Sequence, residues 1–110
     1  MSQYTLESLT RCRVQIDAID VRLIELLNER TAIVEEIGRA KQQLRLGVYE
    51  PKREDQVFAN VIAHNRGPLS ADAVKRIFER IIDEMRTVQK TNMSAKPLDS
   101  SSNQAEKKSC

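Results

Sequence analysis

LESLTRCRVQIDAIDVRLIELLNERTAIVEEIGRAK, residues 6–41, decides the fold. Read in steps of three and four, it places Leu9, Cys12, Ile16, Ile19, Leu23 and Leu26 on one stripe. The stripe then meets Arg30 and resumes at Ile33, Ile37 and Ala40. This is a coiled-coil-like seam interrupted by one cation, and it contains no Gly or Pro before Gly38. A helix of this length extends ~54 Å at ~1.5 Å per residue. A compact domain of about 90 residues has a radius of gyration of only ~12 Å. The seam is longer than this chain can cover, so a second copy of the chain is expected on the remainder.

Composition agrees with a helical protein. Hydrophobic residues make up 40% and charged residues 31%, with three Gly and three Pro in 110 residues. The net charge of +2 leaves no basic footprint for nucleic acid or an anionic membrane, so any cation that matters must act locally. No apolar run approaches a membrane span, and MSQYTLES has no apolar signal segment. A cytoplasmic location is expected. Cys12 and Cys110 are too far apart for a metal knuckle. Cys12 sits on the apolar stripe and reads as a small core residue, and Cys110 as a free thiol on a tail.

Beyond residue 41 the pattern fades through Gln42-Gln43-Leu44-Arg45, and Gly47 marks a break. Pro51 suits the first turn of a second helix, over 51–65, with Glu54 and Asp55 favoured near its positive end. Val57, Phe58, Val61 and Ile62 form one narrow stripe, which is expected to pack on the first helix. Asn65-Arg66-Gly67-Pro68 is a stop, and Ser70 is a natural cap for a third helix, as Ser2 or Thr5 is for the first. The third helix carries Val74, Ile77, Phe78, Ile81, Ile82 and Met85 on one face. A heptad beyond Ile82 falls on Gln89, an amide where an apolar residue is due. The fold expected is all-α, three helices per chain, one long and two shorter, in residues 1–90. Residues 91–110, rich in Ser and Lys, read as a disordered tail.

Chemistry is to be sought where polar groups interrupt apolar stripes. Arg30 and Lys41 are 11 positions apart, within ~20° of one helix face and ~16 Å apart along it. Two cations facing one interior call for anions between them. Arg13 stands ~42 Å from Lys41 on a straight helix, so it reaches a small ligand at Lys41 only from an antiparallel partner. Plainer readings stay open at this stage. Arg30 could pair with Glu29, Glu35 or Glu36, and Lys41 could be a surface cation that complements a helix C-terminus. Gln89 could be a solvated end, and Glu50 and Arg53 could serve only the start of a helix. His64 has no second ligand or nucleophile at helical spacing. There is no Gly-rich phosphate loop, HExxH motif or nucleophile elbow. Several cations and an amide without a nucleophile suit a small polyanion.

Taken together, Arg13-Val-Gln-Ile-Asp-Ala-Ile-Asp20, Leu26-Leu-Asn-Glu-Arg30, Ile37-Gly-Arg-Ala-Lys41, Val48-Tyr-Glu-Pro-Lys-Arg53-Glu54 and Ile81-Ile82 with Gln89 closely resemble the all-helical class of chorismate mutases. The resemblance covers residues 6–90 in order and spacing. It implies an intertwined helical-bundle homodimer with two sites, each completed by the other chain. It also implies the Claisen rearrangement of chorismate to prephenate, on the route to phenylalanine and tyrosine, with no cofactor or metal. Arg30 and the partner's Arg13 would then bind the substrate carboxylates, and Lys41 and Gln89 would donate to the ether oxygen. Glu54 would hold the ring hydroxyl, while Glu50 and Arg53 line the loop side. Glu50 stands where the family usually has Asp. Met85 stands where some members have a Ser near a carboxylate, so that contact would have to be a backbone one or be missing. Isochorismate-pyruvate lyase on the same fold is the nearest rival activity. A non-catalytic helical dimerisation or regulatory module is the rival of another class.

Overall fold

The computed structural model describes residues 3–94, and contains three helices: α1 (Leu6–Leu44), α2 (Pro51–His64) and α3 (Ala71–Ser94). The chain divides into two compact units, Met1–Ile33 and Val34–Cys110.

In the N-terminal unit, α1 starts at a reciprocal cap. The Ser8 backbone N–H donates to Thr5 Oγ1 at 3.0 Å, and the Thr5 N–H donates to Ser8 Oγ at 2.8 Å. This is a capping box with Ser in place of the usual Glu or Gln, and it satisfies two otherwise orphan donors. Ser2, the other expected cap, lies outside the described residues. No described residue up to Ile33 is buried. Leu9, Ile16, Ile19, Leu23 and Leu26 remain 44–59% exposed along the stripe. Cys12 is exposed too, which corrects its reading as a core residue. Helical periodicity identifies the apolar face but not what covers it, and nothing within this unit covers Cys12.

The C-terminal unit holds the core, with Val34 from α1 and Val74, Ile82 and Met85 from α3 buried. Each such side chain contributes on the order of 1.5–3 kcal/mol when fully removed from water. Val57, Phe58, Val61 and Ile62 of α2 are half-buried. Helix α2 packs with α3. A short connection makes consecutive helices neighbours, and Asn65 rigidifies it. The Asn65 side chain donates to the Leu69 carbonyl at 2.7 Å and accepts from the Gly67 N–H at 3.0 Å. Ser70 then caps α3, its Oγ accepting from the Ala73 N–H at 3.1 Å. Helix α3 continues past Lys90 to Ser94. The remainder of the expected tail, Cys110 included, lies outside the described residues.

Helix α1 ends at Leu44, within the stretch 42–45 where the apolar pattern fades, and Gly47 lies in the loop that follows. The Leu46 N–H donates to the Lys41 carbonyl at 2.8 Å and the Arg45 N–H to the Gln42 carbonyl at 3.2 Å. These are the two bonds of a Schellman ending, whose left-handed residue is usually Gly. Here Arg45 takes that place, at φ 59°. A non-Gly residue pays on the order of 1 kcal/mol for this conformation. Gly47 has no left-handed φ, and a Cβ added to it would meet nothing within 4 Å. Arg45→Gly is therefore expected to raise stability by about 1 kcal/mol in denaturant titration. Gly47→Ala should be neutral or stabilising by up to about 1 kcal/mol. A loss of stability in Arg45→Gly would refute this account of the helix end.

Candidate active site

The site is assembled around a buried ammonium. Lys41 lies in the last turn of α1 and is only 7% exposed, so its charge must be paired within the protein. Lys41 Nζ makes three contacts: the Val48 carbonyl at 3.1 Å, Gln89 Oε1 at 3.2 Å and Glu50 Oε1 at 2.6 Å. An ammonium has three N–H donors, and all three are engaged. The bond to Val48 ties the loop after α1 back onto the helix that precedes it. Glu50 precedes Pro51 at the start of α2, and its side chain makes no capping bond there. The carboxylate is on Lys41 instead, half exposed to solvent.

Gln89 is the other buried polar residue, at 9% exposure on α3. The amide orientation follows from its partner: Lys41 can only donate, so the oxygen faces Lys41 and the amide N–H₂ is the end left to donate. Gly38, one turn before Lys41 on the same face of α1, lies against Gln89. A Cβ at Gly38 would lie 3.6 Å from Gln89 Cγ, so the Gln89 side chain runs directly along the helix surface.

A second polar group stands on the same unit. Arg86 donates from Nε to Glu54 Oε2 at 2.8 Å and from Nη2 to Glu54 Oε1 at 3.2 Å, a bidentate fork between α3 and α2. Arg86 also has Nη1 3.5 Å from Asp83 Oδ1, and its guanidinium carbon lies 6.0 Å from the Tyr49 ring centroid. The hydrogen bond that Arg86 donates to Glu54 holds the Arg86 pKa above its already high ordinary value, against an opposing effect of burial.

Of the residues expected from sequence, Lys41, Glu50 and Gln89 converge, and Glu54 is fixed by Arg86. Met85 is buried in the core and Arg53 is exposed. In the N-terminal unit Arg13 is exposed and Arg30 half-buried. The plain readings of Lys41 and Gln89 as solvated helix ends do not hold, because both are buried. His64 is exposed at the end of α2, with Nδ1 2.8 Å from the Asn60 carbonyl. Sequence reasoning missed Arg86. A signal was available, because Arg86 falls between Met85 and Gln89 in the 82, 85, 86, 89 spacing of one helix face.

The cluster contains a cation, an amide with its donor end defined and carboxylates, with no Ser, Cys or His nucleophile among them. Such a set can hold and stabilise a developing negative charge on oxygen. Among the described residues, no group of three or more His, Cys, Asp or Glu is placed to hold a metal ion, and no helix is long and apolar enough to cross a membrane.

Comparison with known proteins points the same way. A bifunctional chorismate mutase/prephenate dehydratase of Pseudomonas aeruginosa is 34% identical over 82 residues, covering 69% of this chain and 22% of that protein. The chain spans about a quarter of the length of such bifunctional relatives. A chorismate mutase of Methanocaldococcus jannaschii is 26% identical over 89 residues, covering 77% of this chain and 87% of its own. A solved structure of chorismate mutase (form II) from Thermus thermophilus superposes with a TM-score of 0.73 at 30% identity, over 74% of this chain and 93% of that one. The family model for chorismate mutase type II matches residues 12–90, most of the chain, and this protein belongs to that family.

Proposed function

We propose that this chain is a chorismate mutase acting in the cytoplasm, converting chorismate to prephenate without a cofactor. The observation that carries the reading is the buried Lys41–Gln89 contact, 3.2 Å long, which sets an ammonium and an amide donor side by side. The reaction is a unimolecular pericyclic rearrangement. The ether C–O bond breaks as a C–C bond forms, and no proton is transferred. The protein therefore needs only to hold a compact conformer and to stabilise charge as it grows.

Negative charge accumulates on the ether oxygen as the C–O bond lengthens. Lys41 and the Gln89 N–H₂ are the donors for it. Since all three N–H groups of Lys41 are engaged, the oxygen must take one acceptor's place. Glu50 is the exchangeable one, because its carboxylate is half exposed and regains water on leaving. Gln89 is buried, and losing it would strand a polar group. Glu54 accepts from the ring hydroxyl, Arg53 lines the loop side, and Met85, whose side chain is buried in the core, has only its backbone to offer. Arg30 binds one substrate carboxylate and the partner's Arg13 the other.

The last assignment requires a homodimer. The exposed stripe from Leu9 to Leu26 supports it: a helix with a long apolar face in water is marginal by itself and gains most of its stability from packing. A second copy has a stripe of the same length to offer.

Loss of one preorganised oxyanion donor costs about 2.7–4 kcal/mol, so Lys41→Ala should lower kcat roughly 100- to 1,000-fold in a chorismate absorbance assay. The helical circular dichroism should be retained. Arg13→Ala and Lys41→Ala, each inactive alone, should regain part of the activity when subunits are exchanged, because one intact site re-forms in the heterodimer. Demonstrated exchange without recovered turnover would exclude the cross-chain site. Isochorismate supplied in parallel should release little pyruvate; pyruvate formation outpacing prephenate formation would assign the lyase activity instead.

A further inference from the structure

We infer that Arg86 is a positioning residue for Glu54, fixing the carboxylate that meets the ring hydroxyl of a cyclic dicarboxylate substrate; this rests on the chorismate mutase reading. Neither the sequence motifs nor that reading gives Arg86 a role. The geometry does, in three ways.

First, the contact is a fork. Nε and Nη2 of Arg86 engage different oxygens of Glu54, at 2.8 and 3.2 Å, so the plane of the carboxylate is fixed as well as its position. A guanidinium only donates, so both oxygens must accept. A carboxylate offers about four lone-pair sites, which leaves acceptor capacity for a ligand hydroxyl. Second, the pair is sheltered. Glu54 is 18% exposed and Arg86 35%, unlike the Arg80–Glu84 pair on the same helix, at 76% and 53%. Surface pairs of the latter kind hold little in place.

Third, the fork closes a circuit. Glu54 stands one turn beyond Glu50, and Arg86 one turn before Gln89. Both Glu50 and Gln89 are partners of Lys41. Arg86–Glu54 therefore links the start of α2 to the stretch of α3 that carries Gln89. When Glu50 gives up Lys41 to a ligand, the fork still holds α2 and α3 in register. Arg86 also lies 6.0 Å from the Tyr49 ring, so the loop preceding Glu50 rests beside the same guanidinium.

The test compares Arg86→Met, Arg86→Lys, Glu54→Gln and the Arg86→Met/Glu54→Gln double variant, with Arg80→Ala as the control. Each is assayed for chorismate turnover. Binding of a hydroxyl-bearing dicarboxylate transition-state analogue and of its deoxy counterpart is measured by calorimetry. Arg86→Met should lower kcat/KM about 10- to 100-fold, mainly through KM, because the lost contact serves ground and transition states alike. It should also abolish the preference for the hydroxylated analogue. Arg86→Lys keeps the charge but not the fork, and should recover only part. The double variant should be no worse than the poorer single variant. Arg80→Ala should match the wild type.

A purely structural Arg86 would lower the melting temperature while leaving KM and analogue preference unchanged below it. That result overturns the inference and leaves the mutase reading intact, as would losses that multiply in the double variant. A wild-type chain that neither turns over chorismate nor binds the analogue refutes the mutase reading, and this inference falls with it.

Discussion

One buried ammonium sets the terms for the rest of the C-terminal unit. Removing a charge from water costs several kcal/mol even after relaxation, so Lys41 is tolerable only with partners on every side. It recruits them from three parts of the chain: the Val48 carbonyl from a loop, Glu50 from the start of α2 and Gln89 from α3. Local features serve that gathering. The Schellman ending at Arg45 turns the chain where Val48 and Glu50 can come back to Lys41, and Gln89 crosses α1 against Gly38. The apolar core, small as it is, does not specify these positions. Val34 of α1 and Val74, Ile82 and Met85 of α3 are buried, and the polar contacts around Lys41 select one register among the similar packings open to such a core.

The three helices were legible in the sequence because their signals are local. A 3.6-residue period, Pro51 at a helix start and Ser70 at a cap act within a turn or two of where they stand. Lys41, Glu50 and Gln89 were legible as interruptions or flanks of apolar stripes. What covers a stripe was not legible, because periodicity gives a face and not a neighbour. Hence Cys12 reads as core but is exposed. The fading pattern over 42–45 marks where α1 ends, but not that Arg45 takes the left-handed position usually held by Gly. Arg86 escaped notice because a lone Arg beside an apolar stripe usually reaches water with its head group. Only the structure shows Glu54 beneath it.

The choice of an amide at position 89 follows from the same constraint. Lys41 and Glu50 already sum to zero charge. A carboxylate at 89 would leave one ammonium between two anions, with the buried one uncompensated. A second ammonium would repel the first, and an apolar side chain would strand a Lys41 N–H without an acceptor. Gln accepts from Lys41 with one end and keeps a donor at the other, so it satisfies the resting site and still has a hydrogen bond to give. On the proposed reading this explains why the resting site does not conflict with the working one. With Glu50 in place the cluster is neutral. When Glu50 moves out to water and an electron-rich oxygen takes its contact, the charge of Lys41 is no longer offset, in a setting that water screens poorly. The attraction then grows as the C–O bond polarises, so the field acts more strongly on the transition state than on the bound substrate. On the same proposed reading, the extra methylene of Glu50 over the Asp that the family resemblance leads one to expect suits an anion that holds Lys41 at rest, half exposed to solvent, and gives it up to substrate.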